Sequence, residues 1–103
     1  VWNAVVADWR TAPLRPELHA ALAFIEVLTE RPDELTTADA QAAYGAGVSR
    51  DALRDAATVS SLFSMITRLA DSFGWDVPSW DRTLDRAPAM LEGGYSFAAM
   101  RRR

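Results

Sequence analysis

The sequence has 103 residues, enough for one domain with a modest core. Half of them are hydrophobic, but no run reaches the roughly 18 to 20 apolar residues of a membrane span, so no membrane partner and a cytoplasmic location are expected. A net charge of −3 argues against a nucleic-acid surface, and the lack of cysteine with a single histidine leaves no disulfide, thiolate, metal or cofactor to expect in these residues.

A short amphipathic helix over about 2–10 is predicted from Trp2, Val5, Val6 and Trp9, which share one helical face before Pro13 stops the run. Pro16 suits the first turn of a second helix, about 16–30, because its missing amide has no intrahelical partner there. Leu18, Ala21, Leu22, Ile25 and Leu28 make its apolar stripe, widened by Phe24, while His19, Glu26 and Glu30 share another edge. Thr36 and Asp39 have the spacing of a capping box and open a short third helix, about 37–44, which Gly45 and Gly47 end.

Ser49 to Gly74 carries the densest pattern and reads as a long axial helix packed on the helix at 16–30. Ala52, Ala56, Val59, Phe63, Ile66, Ala70 and Phe73 alternate four and three apart, a spacing that predicts a buried seam. Leu62, Met65 and Leu69 lie beside it and widen the apolar arc, which predicts a second contact surface. They are the candidate oligomer-interface residues, together with Trp80. Ser49 is the expected cap and Gly74 the expected exit. Residues 1–78 form the expected helical domain. Residues 79–103 read as an irregular, aromatic-containing tail in which Ser79 caps one short turn that Pro88 interrupts. The bulk of Trp75, Trp80, Met90, Tyr95 and Phe97 calls for cover, either from the helices or from another subunit. Arg101, Arg102 and Arg103 read as a solvated end.

Polar residues that could carry chemistry are few. His19 could act as a general base, but seven residues separate it from Glu26, too far for an acid/base pair within one helix. On the axial helix Ser64, Thr67, Arg68 and Asp71 can form a ladder, with Ser60 and Ser61 nearby. One reading is a pocket wall in which Arg68 binds an anion and Asp71 fixes the arginine. The other is structural, with Arg68 bridging to Glu26 or Glu30. No catalytic residue is identified, since no hydroxyl has a base at a matching position.

The stretches ADWRTAPLRPELHAALAFIEVLTERPDELTTADA and AYGAGVSRDALRDAATVSSLFSMITRLADSFGWDVP resemble the carboxymuconolactone decarboxylase and alkylhydroperoxidase (AhpD-like) family, in its peroxidase-related type. Members carry a helix ending in "LT" and a proline, an "AGVS-acid" helix start, and a phrase close to F-N-x-I-N-R-x-A-D-x-L-G. Phe63, Ile66, Arg68, Ala70, Asp71 and Gly74 fit that phrase, while Ser64 and Thr67 stand where asparagines are usual. The resemblance implies an all-α, AhpD-like bundle of which the chain is the C-terminal half. It also implies a homo-oligomer, or a partner chain carrying the N-terminal half.

The family's peroxidases work through a Cys-x-x-Cys and a histidine, and this chain has no cysteine. Oxidoreductase chemistry is therefore expected in another segment or chain. Two alternatives stand beside this reading: a non-catalytic helical oligomerisation or interaction module, and a cofactor-free decarboxylase-type enzyme using His19, the glutamate edge or Arg68.

Overall fold

In a computed structural model, residues 1–94 are described, and they are all-helical, without strands. The helices are α1 (Trp2–Asp8), α2 (Pro16–Glu30), α3 (Thr37–Gly45), α4 (Arg50–Phe73) and α5 (Trp80–Gly93), with a single 3₁₀ turn at Pro32–Glu34. The chain forms two compact units, Val1–Ser72 and the residues from Phe73 on.

The helix boundaries follow the local chemistry. Pro16 opens α2. Asp39 closes the capping box of α3, its Oδ2 accepting from the Thr36 backbone N–H at 2.8 Å and from the Thr36 hydroxyl at 3.2 Å. Ser49 Oγ accepts from the Ala52 N–H at 3.1 Å and so caps α4. Between α3 and α4 the chain turns through Gly47 at φ +102°, a conformation that side chains with a Cβ disfavour.

The first unit is organised around α2 rather than α4. Its closest helical neighbour is α3. Ala43 of α3, Val48 of the turn and Leu53 of α4 form the buried cluster, and Ala20, Ala21 and Phe24 of α2 pack against it with Ala40 and Tyr44. The small residues on α2 and α3 allow this close approach. Leu18, expected on the buried stripe, is 42% exposed.

The expected seam of α4 is corrected by its orientation. The helix turns Leu53, Ala56, Ala57, Ser60 and Ser64 inward, at spacings of three and four, and these are its buried or half-buried positions apart from Ala70, which with Ala56 is the part of the expected seam that is half-buried. Val59, Phe63 and Ile66 lie outward at 52%, 65% and 53% exposure, as do Leu62, Met65 and Leu69. The cause is steric and sequential: the only large apolar residue on the inner face is Leu53, and beyond it alanines and serines let α4 approach the end of α2.

The second unit differs from the irregular tail that its prolines and glycines suggest. Ser79 does cap a helix, its Oγ accepting from the Arg82 N–H at 3.4 Å, but α5 then runs for 14 residues, through Pro88 to Gly93. Proline removes one hydrogen bond from a helix interior. The residues after it, Ala89, Met90, Leu91 and Glu92, are strong helix formers and resume the ladder. Gly74 leaves α4 at φ +60°, and the rings of Phe73 and Trp75 stack across it with centroids 6.4 Å apart. Tyr95, Phe97 and the terminal arginines lie outside the described residues.

Candidate functional site

The two expected polar groups of α2 are engaged in holding the N-terminal segment. His19 Nε2 lies 3.0 Å from the Ala12 carbonyl oxygen, which can only accept, so Nε2 carries the hydrogen. The Trp9 ring stands 6.0 Å from the His19 ring, and the Arg10 guanidinium lies 4.9 Å above Trp9. Arg10 also pairs with Glu26 and, at 3.6 Å, with Asp8. Trp9, Arg10 and Ala12 thus tie α1 and its connector to one edge of α2, and the buried Ala12 marks the contact. The bridge from Arg68 to Glu26 or Glu30 is not formed among the described residues: Glu26 pairs with Arg10, and Arg68 makes no ion pair.

The other polar candidates gather on α4. Thr29 Oγ1 and Ser60 Oγ are 3.2 Å apart where the last turn of α2 meets α4. On either side of that contact open two shallow grooves of about 290 and 390 Å³ that share Thr29, Ser60, Ser64 and Arg68. Leu28, Pro32 and Met65 wall one, and Phe63 and Thr67 the other. No carboxylate lines either groove among the described residues.

Within this group the hydroxyls are not equivalent. Ser61 donates to the Ala57 carbonyl at 2.8 Å, the ordinary way for a helical serine to satisfy itself. Ser64 and Thr67 have no such partner among the described residues, and Arg68 pairs with neither Asp71 nor any other acid. This sets Arg68 apart from most arginines of the first unit. Arg10, Arg31 and Arg54 pair with carboxylates, and Arg50 lies 4.7 Å over the Tyr44 ring. The expected ladder of Ser64, Arg68 and Asp71 is therefore absent as a set of bonds, and Asp71 lies beyond the groove walls.

The outward face of α4 carries the expected interface residues, Leu62, Met65 and Leu69, at 54%, 58% and 45% exposure, with Val59, Phe63 and Ile66 of the expected seam; Met65 and Phe63 stand at its edges, where they also wall the grooves. Trp80, in the second unit, is 65% exposed on the first turn of α5. Sequence reasoning missed Thr29 and Pro32 as groove walls; the signal available was that Pro32 ends α2 and limits how far it can cover α4. Among the described residues no cluster of acids and histidine could hold a metal ion, and no helix is long and apolar enough to cross a membrane. No protein-family model matches the chain, and neither does any curated protein or solved structure.

Proposed function

We propose that the chain is a helical association module that pairs with a second copy of itself through the outward face of α4. The observation that carries this reading is the exposure of Val59, Leu62, Phe63, Met65, Ile66, Leu69 and Phe73, between 45% and 70% each, on one continuous face. At roughly 100 Å² apiece they offer about 700 Å² per copy, close to the roughly 800 Å² per partner of a standard interface. That is more than the largest apolar patch of most monomers. Two copies of one helix face related by a twofold axis are self-complementary.

Charge favours the antiparallel arrangement. Asp51 and Asp55 occupy the same face one to two turns before Val59. A parallel pair would set these carboxylates against their own copies, whereas an antiparallel pair centred near Ile66 places them beyond the apolar overlap. Analytical ultracentrifugation tests the reading, with a dimer expected at a Kd of about 10 µM or tighter. Ile66→Asp combined with Leu69→Asp is expected to give a monomer with unchanged helical circular dichroism. A wild-type chain that sediments as a monomer well above that concentration overturns it.

A second reading rests on the AhpD-like resemblance. The phrase that carries it falls on the last turns of α4, where Gly74 leaves the helix at positive φ. In this reading the chain supplies part of an AhpD-like bundle, and another segment or chain supplies the thiol oxidoreductase chemistry. Purification of the tagged chain from its native source tests it. A co-purifying cysteine-bearing partner and thiol-dependent hydroperoxide reduction are expected; recovery of the chain alone, without that activity, counts against it. The cysteine-free decarboxylase alternative gains no comparable support, since His19 and Glu26 are occupied in holding α1.

A further inference from the structure

The inner face of α4 carries a feature that association through the outer face does not use. Ser64, Thr67 and Arg68 lie within one turn of each other, line the same groove region, and lack side-chain partners among the described residues. Neighbouring Thr58 and Ser61 instead satisfy their hydroxyls on carbonyls four residues back, at 2.8 Å each. Two uncommitted hydroxyls beside an uncommitted guanidinium form a donor set for an oxyanion, and arginine's planar fork fits a carboxylate with two parallel bonds. The remaining walls of the groove that all three line are Thr29 and Ser60, which face each other, and the apolar Phe63. Its volume of about 390 Å³ is at the small end of ligand sites.

We propose that this groove binds a small amphipathic organic anion, its carboxylate on Arg68 with Ser64 and Thr67 and its apolar body against Phe63. The carbonyl pole of α2 ends beside the groove and disfavours an anion. Arg68 is the one source of positive charge among the lining residues, and binding depends on it. Phe63 walls the groove and also belongs to the proposed association face, so the two proposals are told apart by readout: Arg68→Gln, outside the association face, is expected to weaken anion binding and leave sedimentation unchanged.

The test is titration of the full chain with benzoate, hexanoate, benzyl alcohol and inorganic phosphate, followed by calorimetry and by amide shifts of ¹⁵N-labelled protein. Benzoate and hexanoate are expected to saturate, with the largest shifts at Ser64, Thr67 and Arg68. Arg68→Gln, an exposed substitution checked for folding by circular dichroism, is expected to weaken binding about tenfold or more, the loss of a charge-assisted hydrogen bond. Ser64→Ala should weaken it several-fold, and Arg54→Gln, which lies outside the groove, should leave it unchanged. Failure of both acids to saturate overturns the proposal, as does equal binding by Arg68→Gln. Benzyl alcohol binding as tightly as benzoate removes the anion from it, and phosphate binding as tightly removes the apolar body; either result overturns it.

Discussion

Thr29 Oγ1 and Ser60 Oγ stand 3.2 Å apart, and this contact sets how closely the end of α2 approaches α4. A serine on each inner turn, Ser60 and then Ser64, leaves room for that approach and turns the bulk of α4 away from it. Ser60→Leu inserts a branched side chain into the contact and removes the hydrogen bond. It is expected to destabilise the chain by about 1 to 3 kcal/mol, the usual effect of overpacking, as read from urea unfolding. Ser61→Leu, on an exposed position one residue away, is expected to change stability by no more than about 0.5 kcal/mol.

The division of α4 into an inner and an outer face predicts opposite results for two large residues. Leu53 is 3% exposed in the central cluster, and Leu53→Ala should cost about 2 to 5 kcal/mol by lost transfer energy and cavity formation. Phe63 is 65% exposed, so Phe63→Ala should change the stability of the isolated chain by less than about 1 kcal/mol. Its effect belongs to association, and appears as a weaker dimer and a smaller dependence of melting temperature on concentration. Unfolding measured at two protein concentrations separates the two effects.

Those two residues also show what a pattern can and cannot say. The start and stop of α2, α3 and α4 were legible because each rests on a local bond: Pro16 at a first turn, Asp39 to Thr36, Ser49 to Ala52, and Gly74 at positive φ. Periodicity likewise placed Phe63 and Ile66 on one face. It did not say which face turns inward, because a helix with apolar residues over a wide arc can pack small against small and leave the large ones outside. The partner of Glu26 was hidden for a similar reason. Arg10 lies sixteen residues away and reaches it only through the path of the connector at Thr11–Leu14, which no spacing rule encodes. Pro88 misled by its reputation: the cost of one missing bond was outweighed by the helix formers that follow it.

The Arg10–Glu26 pair is expected to contribute modestly. The Glu26 side chain is 20% exposed and that of Arg10 56%, so solvent screens the pair. A double-mutant cycle of Arg10→Ala and Glu26→Gln should give a coupling of about 0.5 to 1 kcal/mol, reduced at high salt. The single change at Arg10 should also raise amide exchange across α1, because the hold on Trp9 and the connector is lost with it.

Pro88 interrupts the hydrogen-bond ladder of α5, and restoring the bond should strengthen this helix. Pro88→Ala supplies an N–H for the Leu84 carbonyl and relieves the ring's crowding of the preceding turn. Proline costs about 3 kcal/mol relative to alanine in a helix interior. The variant should show a larger circular dichroism signal at 222 nm and slower amide exchange from Leu84 to Leu91. An unchanged signal would mean that α5 already tolerates the gap at no cost.

Gly45 and Gly47, two residues apart, should respond to alanine with opposite sign. Gly45 is the last residue of α3, at negative φ, and a Cβ added there meets nothing within 4 Å. Gly45→Ala should stabilise the chain by about 0.5 to 1 kcal/mol, by raising helix propensity and reducing the freedom of the unfolded chain. Gly47 is at φ +102°, and a Cβ there comes within 3.2 Å of Glu17 Cγ. The flexible Glu17 side chain can yield, but the backbone cannot adopt this angle without strain, so Gly47→Ala should cost about 1 to 2 kcal/mol. The turn at Gly47 aims Val48 and Leu53 into the cluster with Ala43, so the loss should appear as a lower denaturation midpoint for the whole first unit. Equal effects at the two positions would mean that α3 and α4 are joined by a turn other than this one.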